Sequence, residues 1–270
     1  MPSEVRHLVD GGQTYPVVRL AGVLDSRSAP LVRSSVVSVL AGQPEAVVID
    51  VRELTLGHPD AADVLEDLAR EATDWPCARV VLCARADAKR WNLPSWPTPE
   101  AAFAGLGEPH PGNFLSLALE PVMGAARRSR ELVAEACERW DLPDLASPAS
   151  IVVTEMVNNV VAHARTDMTV LLGRHSGRMT VAVRDRSATI PRFTGSPVPV
   201  TSYGGRGLLL INSEAGAWGS LALPGGKVVW AALKTGGPQN TGGPQNTGGP
   251  QNTGGPQNAG GPQNGANRVE

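Results

Sequence analysis

Ile151-Val-Val-Thr-Glu-Met-Val-Asn-Asn-Val-Val-Ala-His163 decides how this chain is read. Glu155, Asn159 and His163 stand four residues apart within it. On a helix that spacing keeps side chains on nearly one face. Val152, Met156 and Val160 form a parallel apolar stripe, which predicts a core-facing edge beside the polar one. A carboxylate and a carboxamide next to a buried stripe describe the wall of a pocket. A charge in such a place needs a compensating partner, and a metal–nucleotide complex would supply one. Asn158 points about a hundred degrees away from the polar stripe.

Two later segments extend the pattern. Met179-Thr-Val-Ala-Val-Arg-Asp185 alternates as a strand does and ends on an acidic residue. Tyr203-Gly-Gly-Arg-Gly207 runs directly into Leu208-Leu-Leu-Ile211, a glycine loop opening an apolar helix. Gly205 and Gly207 allow close backbone approach, and the amides that open such a helix direct positive charge at a phosphate. Thr189 to Tyr203, with three prolines and two serines, is the expected short lid.

In this order, a Glu-Asn helix, a strand-end Asp and a glycine loop opening a helix resemble the ATP-binding fold of the GHKL class. The chain is most similar to its small anti-sigma-factor serine kinases, through Thr154-Glu-Met-Val-Asn-Asn159-Val-Val-Ala-His163-Ala. Ala217-Trp218-Gly219 and Pro224-Gly225-Gly226-Lys227-Val228-Val229-Trp230 resemble the last hairpin of that branch. The resemblance spans roughly residues 113 to 234. It implies ATP and Mg2+ as cofactors, with Asn159 as the metal ligand through its side-chain oxygen and Glu155 as the catalytic base. It implies Asp185 as the acceptor for the adenine amine, and Gly205, Arg206 and Gly207 at the phosphates. Arg206 is equally placed to meet a protein partner. His163 is common in the family and is assigned no chemistry. The family pattern at the strand end is Asp-x-Gly, whereas this chain has Asp185-Arg186-Ser187. A turn-initiating Asp would also read this way.

The first hundred or so residues carry their own alternation. Val17 to Leu24 reads as a strand, with Asp25 or Ser28 placed to cap a helix through about Ala41. Ala46 to Val51 and Ala78 to Cys83 read as buried strands, and Ala61 to about Ala72 has helical spacing. Such strand–helix repeats argue for an α/β layer arrangement. Leu20-Ala-Gly-Val-Leu-Asp25 and Val47-Val-Ile-Asp50 resemble a STAS domain, the fold of anti-anti-sigma factors. In that family the following loop offers a serine that accepts phosphate; here it reads His58-Pro59-Asp60-Ala61, with Asp60 at the acceptor place. Asp60 is either the N-cap of the next helix or a stand-in for phosphoserine with less charge and fewer acceptor oxygens. On either reading this loop is not a serine substrate. Lys89 to about Leu106 includes a short helix at Pro99–Leu106, and Gly107 to Gly112 breaks regular structure.

Net charge is −2, which gives no electrostatic case for nucleic acid. The start lacks a basic segment followed by an apolar run, and no uninterrupted apolar run is long enough for a bilayer. Cys77, Cys83 and Cys137 sit in apolar segments and read as reduced core thiols. A cytoplasmic protein fits these features. Arg127, Arg128 and Arg130 form either a solvated basic face or a docking surface for an acidic partner. From Gly236 the unit Gly-Gly-Pro-Gln-Asn occurs five times. Its composition predicts disorder, and its period fits neither collagen nor a solenoid.

The expected architecture is α/β (α+β). A STAS-like mixed sheet with helices occupies 1–106, a linker 107–112, a GHKL-type two-layer α/β sandwich 113–234, and a disordered repeat tail 235–270. The function implied by resemblance is an anti-sigma factor and serine kinase whose partners are a sigma factor and a STAS protein. A homodimer is possible by family; neither nucleic acid nor a membrane is an expected partner. The alternative is a non-catalytic, ATP-dependent binding module regulated by its own STAS-like half.

Overall fold

The computed structural model describes residues 5–85, 91–175, 177–190, 206–236 and 245–246. The first half is built on a five-stranded sheet. Its strands are β1 (Arg6–Asp10), β2 (Val17–Leu24), β3 (Ala46–Leu56), β4 (Arg79–Cys83) and β5 (Ser95–Trp96), lying side by side in that order. β1 pairs antiparallel with β2, and the other pairs are parallel. Parallel neighbours need crossover connections, which here are α1 (Ala29–Leu40) and α2 (Asp63–Asp74) on one face. α3 (Pro99–Leu106) covers the other face, over Val17, Val48 and Val81.

Two expected caps turn out differently. Asp25 folds back on its own turn, its Oδ1 accepting from Ser28 N at 2.9 Å, while Ser28 at the N-cap of α1 makes no side-chain cap bond. Asp60 is not an N-cap. It lies inside a 3-10 turn at Pro59–Ala62, which His58 caps through a 3.4 Å bond from Asp60 N to Nδ1. The 3-10 turn delays α2 to Asp63, so the residue before it is Ala62, which has no side chain able to cap. The Asp60 side chain is 83 % exposed.

The second half is built on a six-stranded sheet of β6 (Phe114–Leu119), β7 (Met168–His175), β8 (Arg178–Asp185), β9 (Ala217–Leu223), β10 (Gly226–Lys234) and β11 (Gln245–Asn246). Its spatial order is β11-β9-β10-β8-β7-β6, antiparallel except for β11 on β9. β11 comes from the glycine-rich tail, so two residues of that repeat sit on a sheet edge. α4 (Ala125–Trp140), α5 (Ala146–Asn159) and α6 (Arg206–Glu214) cover one face. α5 buries Val152 and Met156, and Val160 is buried just past its end, as the apolar stripe predicts; Val153 and Val157 are buried beside them. Pro143–Ala164 is, by length and composition, apolar enough to cross a membrane. Here its apolar side chains join the core between α4, α6 and the sheet.

The opposite face of this sheet is covered by the first half of the chain. Ala182, Leu221, Val228, Trp230 and Ala232 share one core with Val36, Leu40, Leu65 and Leu68 of α1 and α2. Trp75 stacks on Trp230 with ring centroids 6.4 Å apart and planes 13° apart. The layers therefore run α3, first sheet, α1 with α2, second sheet, then α4 to α6. The connection between the halves is held from both sides. Tyr15 Oη donates to Gly107 O at 3.1 Å, Glu45 Oε1 accepts from His110 N at 2.7 Å, and Trp140 Nε1 donates to Gly112 O at 2.7 Å.

The three cysteines are free and buried. Burial pushes all three thiols up, Cys83 to about 11.

Candidate functional site

α5 presents Glu155 and Asn159 half-buried and Asn158 exposed, the separation that helical spacing requires. After Asn159 the helix widens into a π turn at Val160–Ala164, closed by Arg165 at φ 54 with its N–H on Val160 O at 2.7 Å. Wide turns of this kind admit one extra residue and often mark functional sites. Here the turn carries Val160, exposed His163 and Ala164 along the wall of a cavity of 620 Å3.

The start of α6 lies against the polar stripe. A Cβ placed on Gly207 would stand 2.7 Å from Glu155 Oε2, 3.5 Å from Glu155 Cβ and 3.6 Å from Asn159 Nδ2. Glycine is what lets the helix opening come this close. Glu155 and Asn159, one helical turn apart, therefore meet Gly207, which is distant from both in sequence. Gly205 and residues 191–203 of the expected lid fall outside the described residues, as does the Arg206 side chain.

Asp185 ends β8 on the cavity side and is 4 % exposed. Its Oδ1 accepts from Ser187 N at 2.7 Å, so it does initiate a turn. It also faces a residue that sequence reasoning passed over. Lys227, directly opposite in the β8–β10 register and 7 % exposed, places Nζ 2.9 Å from each carboxylate oxygen. The directed hydrogen bond goes to Oδ1; Oδ2, equally near in the ion pair, has no hydrogen-bond geometry of its own among the described residues. Nζ also donates to Ser187 O at 3.4 Å. Gly226 makes this register possible, because a Cβ there would collide with the Asp185 carbonyl oxygen. A signal for Lys227 was present: it shares the strand parity of Val229, Ala231 and Leu233, whose side chains face the α4–α6 layer.

Met156, Val183, Leu208 and Val229 give the cavity apolar walls, with the Asp185–Lys227 pair between them. A flat heterocycle with a polar edge suits such a space. Among the described residues no group of three His, Cys, Asp or Glu is placed to hold a metal. Magnesium does not need one, since it binds through one or two protein oxygens and otherwise through water and phosphate. Asn159, half-buried next to Gly207, fits that single-ligand role. Arg127, Arg128 and Arg130 are exposed; Arg127 pairs with Glu131 at 2.9 Å and Arg130 donates to Thr154 Oγ1 at 3.2 Å.

Residues 120–232 match a histidine kinase-like ATPase domain. The matched segment thus contains the whole described cavity, with its Glu-Asn helix, strand-end Asp and glycine-opened helix. No curated protein matches the chain. Among solved structures, an anti-sigma factor antagonist from Mycobacterium paratuberculosis is 24% identical, over 39% of this chain and 96% of that one, with a TM-score of 0.34. The anti-sigma factor antagonist SpoIIAA in its unphosphorylated form is 15% identical, over 37% of this chain and 96% of that one, at 0.31. The RsbU and RsbW domains of a Mycobacterium tuberculosis protein are 18% identical at 0.34, over 47% of this chain and 33% of that one.

Proposed function

We propose that this chain is an ATP- and magnesium-binding anti-sigma factor and serine kinase. It captures a sigma factor and phosphorylates a separate anti-anti-sigma STAS protein. The observation that carries this reading is the meeting of Glu155, Asn159 and Gly207 beside the Asp185 cavity. Its division of labour is a STAS-like half at 1–106 and an ATP-binding half at 113–234, with the cytoplasm as its compartment.

The chemistry assigned to the residues is short. Asp185 and the apolar walls hold the base, while Gly205, Arg206 and the amides opening α6 take the phosphates. Magnesium, held by Asn159 and phosphate oxygens, would supply charge neutralisation. Glu155 takes the proton from the serine hydroxyl as its oxygen bonds to the terminal phosphorus. The bond from that phosphorus to the bridging oxygen breaks, and its electron pair leaves with ADP.

Incubation of the intact chain with labelled ATP and candidate STAS proteins tests this. Label on a STAS serine, lost with Glu155→Gln, is the expected result. Retained nucleotide binding without transfer would sink the kinase assignment. It would favour a second reading: an ATP-dependent binding module controlled by its own STAS-like half. The Trp75–Trp230 stack, which joins that half to the sheet, favours this alternative, as does Asp60 at the acceptor place.

A further inference from the structure

We propose that Lys227 is a base-reading residue, paired with Asp185 as donor and acceptor against the N1–N6 edge of adenine. This inference rests on the reading of the cavity as a nucleotide site and deepens it. Asp185 alone offers only acceptors, which suit the exocyclic amine and leave the neighbouring ring nitrogen unaddressed.

Three observations place Lys227 in that role. Its Nζ is buried on the cavity wall, 2.9 Å from both Asp185 oxygens. An ammonium has three N–H groups; one goes to Asp185 Oδ1 and a second reaches Ser187 O at 3.4 Å. The third remains for a ligand. Asp185 Oδ2, in turn, is fully buried yet accepts no hydrogen bond among the described residues. The ammonium 2.9 Å away compensates its charge, and a bound amine would add the directed hydrogen bond that Oδ2 lacks.

Adenine carries the complementary pair. The N6 amine donates and N1 accepts, on adjacent positions of one edge, as Nζ and Oδ2 are adjacent here. Placing the amine on Oδ2 and N1 on Nζ satisfies both protein groups at once. The register brings the two residues face to face, and Gly226 permits it. The ammonium therefore does more than neutralise a carboxylate: it makes the site discriminate at N1.

The test is a comparison of magnesium ATP with magnesium 1-deaza-ATP, in which N1 is replaced by C–H, on the intact chain by titration calorimetry. Wild-type protein is expected to bind ATP at least tenfold more tightly. In Lys227→Met the two ligands should bind alike. Equal affinity of wild type for both ligands overturns the assignment of Lys227 while leaving the nucleotide site standing. Discrimination that survives Lys227→Met overturns it as well. Failure of folded wild type to bind either ligand removes the nucleotide reading itself, and this inference with it. The wild-type comparison needs no variant, so a misfolded Lys227→Met does not obscure the result.

Discussion

Gly207→Ala separates the site from the scaffold more cleanly than any other single change. A methyl group there would stand 2.7 Å from Glu155 Oε2, where ordinary contact begins at 3.4 Å, so something must give by roughly 0.7 Å. The yielding atom is the end of a flexible, half-buried carboxylate rather than backbone, so the clash costs the fold little. Gly207 is helical and is not among the positive-φ glycines, and alanine is favoured over glycine inside a helix by up to about 1 kcal/mol. The melting temperature should therefore hold or rise. Function should not hold. A reacting group displaced by a sizeable fraction of an ångström loses on the order of tenfold to a hundredfold in rate. Phosphate transfer to a STAS partner and thermal denaturation, measured on the same preparation, give the two readouts. Unchanged transfer by a stable Gly207→Ala protein would refute the idea that this close approach sets the position of Glu155.

Other expectations concern the scaffold as much as the site. Glu155→Gln should keep nucleotide affinity while slowing transfer about a hundredfold or more, read by pairing a binding titration with labelled transfer. Trp75→Ala should cost about 3–5 kcal/mol by chemical denaturation and shift a transition common to both halves. Two separable transitions, only one of them moved, would contradict a shared core. Burial pushes the Asp50 carboxyl upward, but the bidentate hydrogen bonds from Arg52 at 2.8 and 2.7 Å outweigh it and hold the group below its ordinary value. A depressed folded value gives stability that is present above the unfolded value of about 3.9 and is lost as pH falls through the folded one. Urea titrations of wild type and Asp50→Asn should accordingly differ at pH 6 and begin to converge only as pH falls below about 4, whereas a constant gap down to acid unfolding would exclude the linkage. With its thiol held near 11, Cys83 should resist a thiol-specific disulfide reagent at pH 8 until the protein is unfolded.

Much of this was legible in the chain because it depends on local spacing. Four-residue steps put Glu155 and Asn159 on one face, and the short helix expected at 99–106 lies where the sequence places it. What escaped depends on pairing across the chain. The strands at 6–10, 95–96, 114–119 and 168–175 went unassigned, three of them short or at sheet edges where alternation is weak. Lys227 meets Asp185 only through the β8–β10 register, 42 residues apart in sequence. Cover on the second sheet's other face was written in Val228-Val-Trp-Ala-Ala-Leu233, whose unbroken apolar run is what a strand buried on both sides requires. Asp60 misled because a good capping residue was displaced into a 3-10 turn that begins earlier than the helix.

Calorimetric titration of the folded, full-length chain with magnesium ATP, alongside Asp185→Asn, addresses the nucleotide site most directly. Saturable heat in the wild type, weakened in the variant, is the predicted outcome. A wild-type protein that is demonstrably folded and takes up no nucleotide at millimolar concentration would contradict the account.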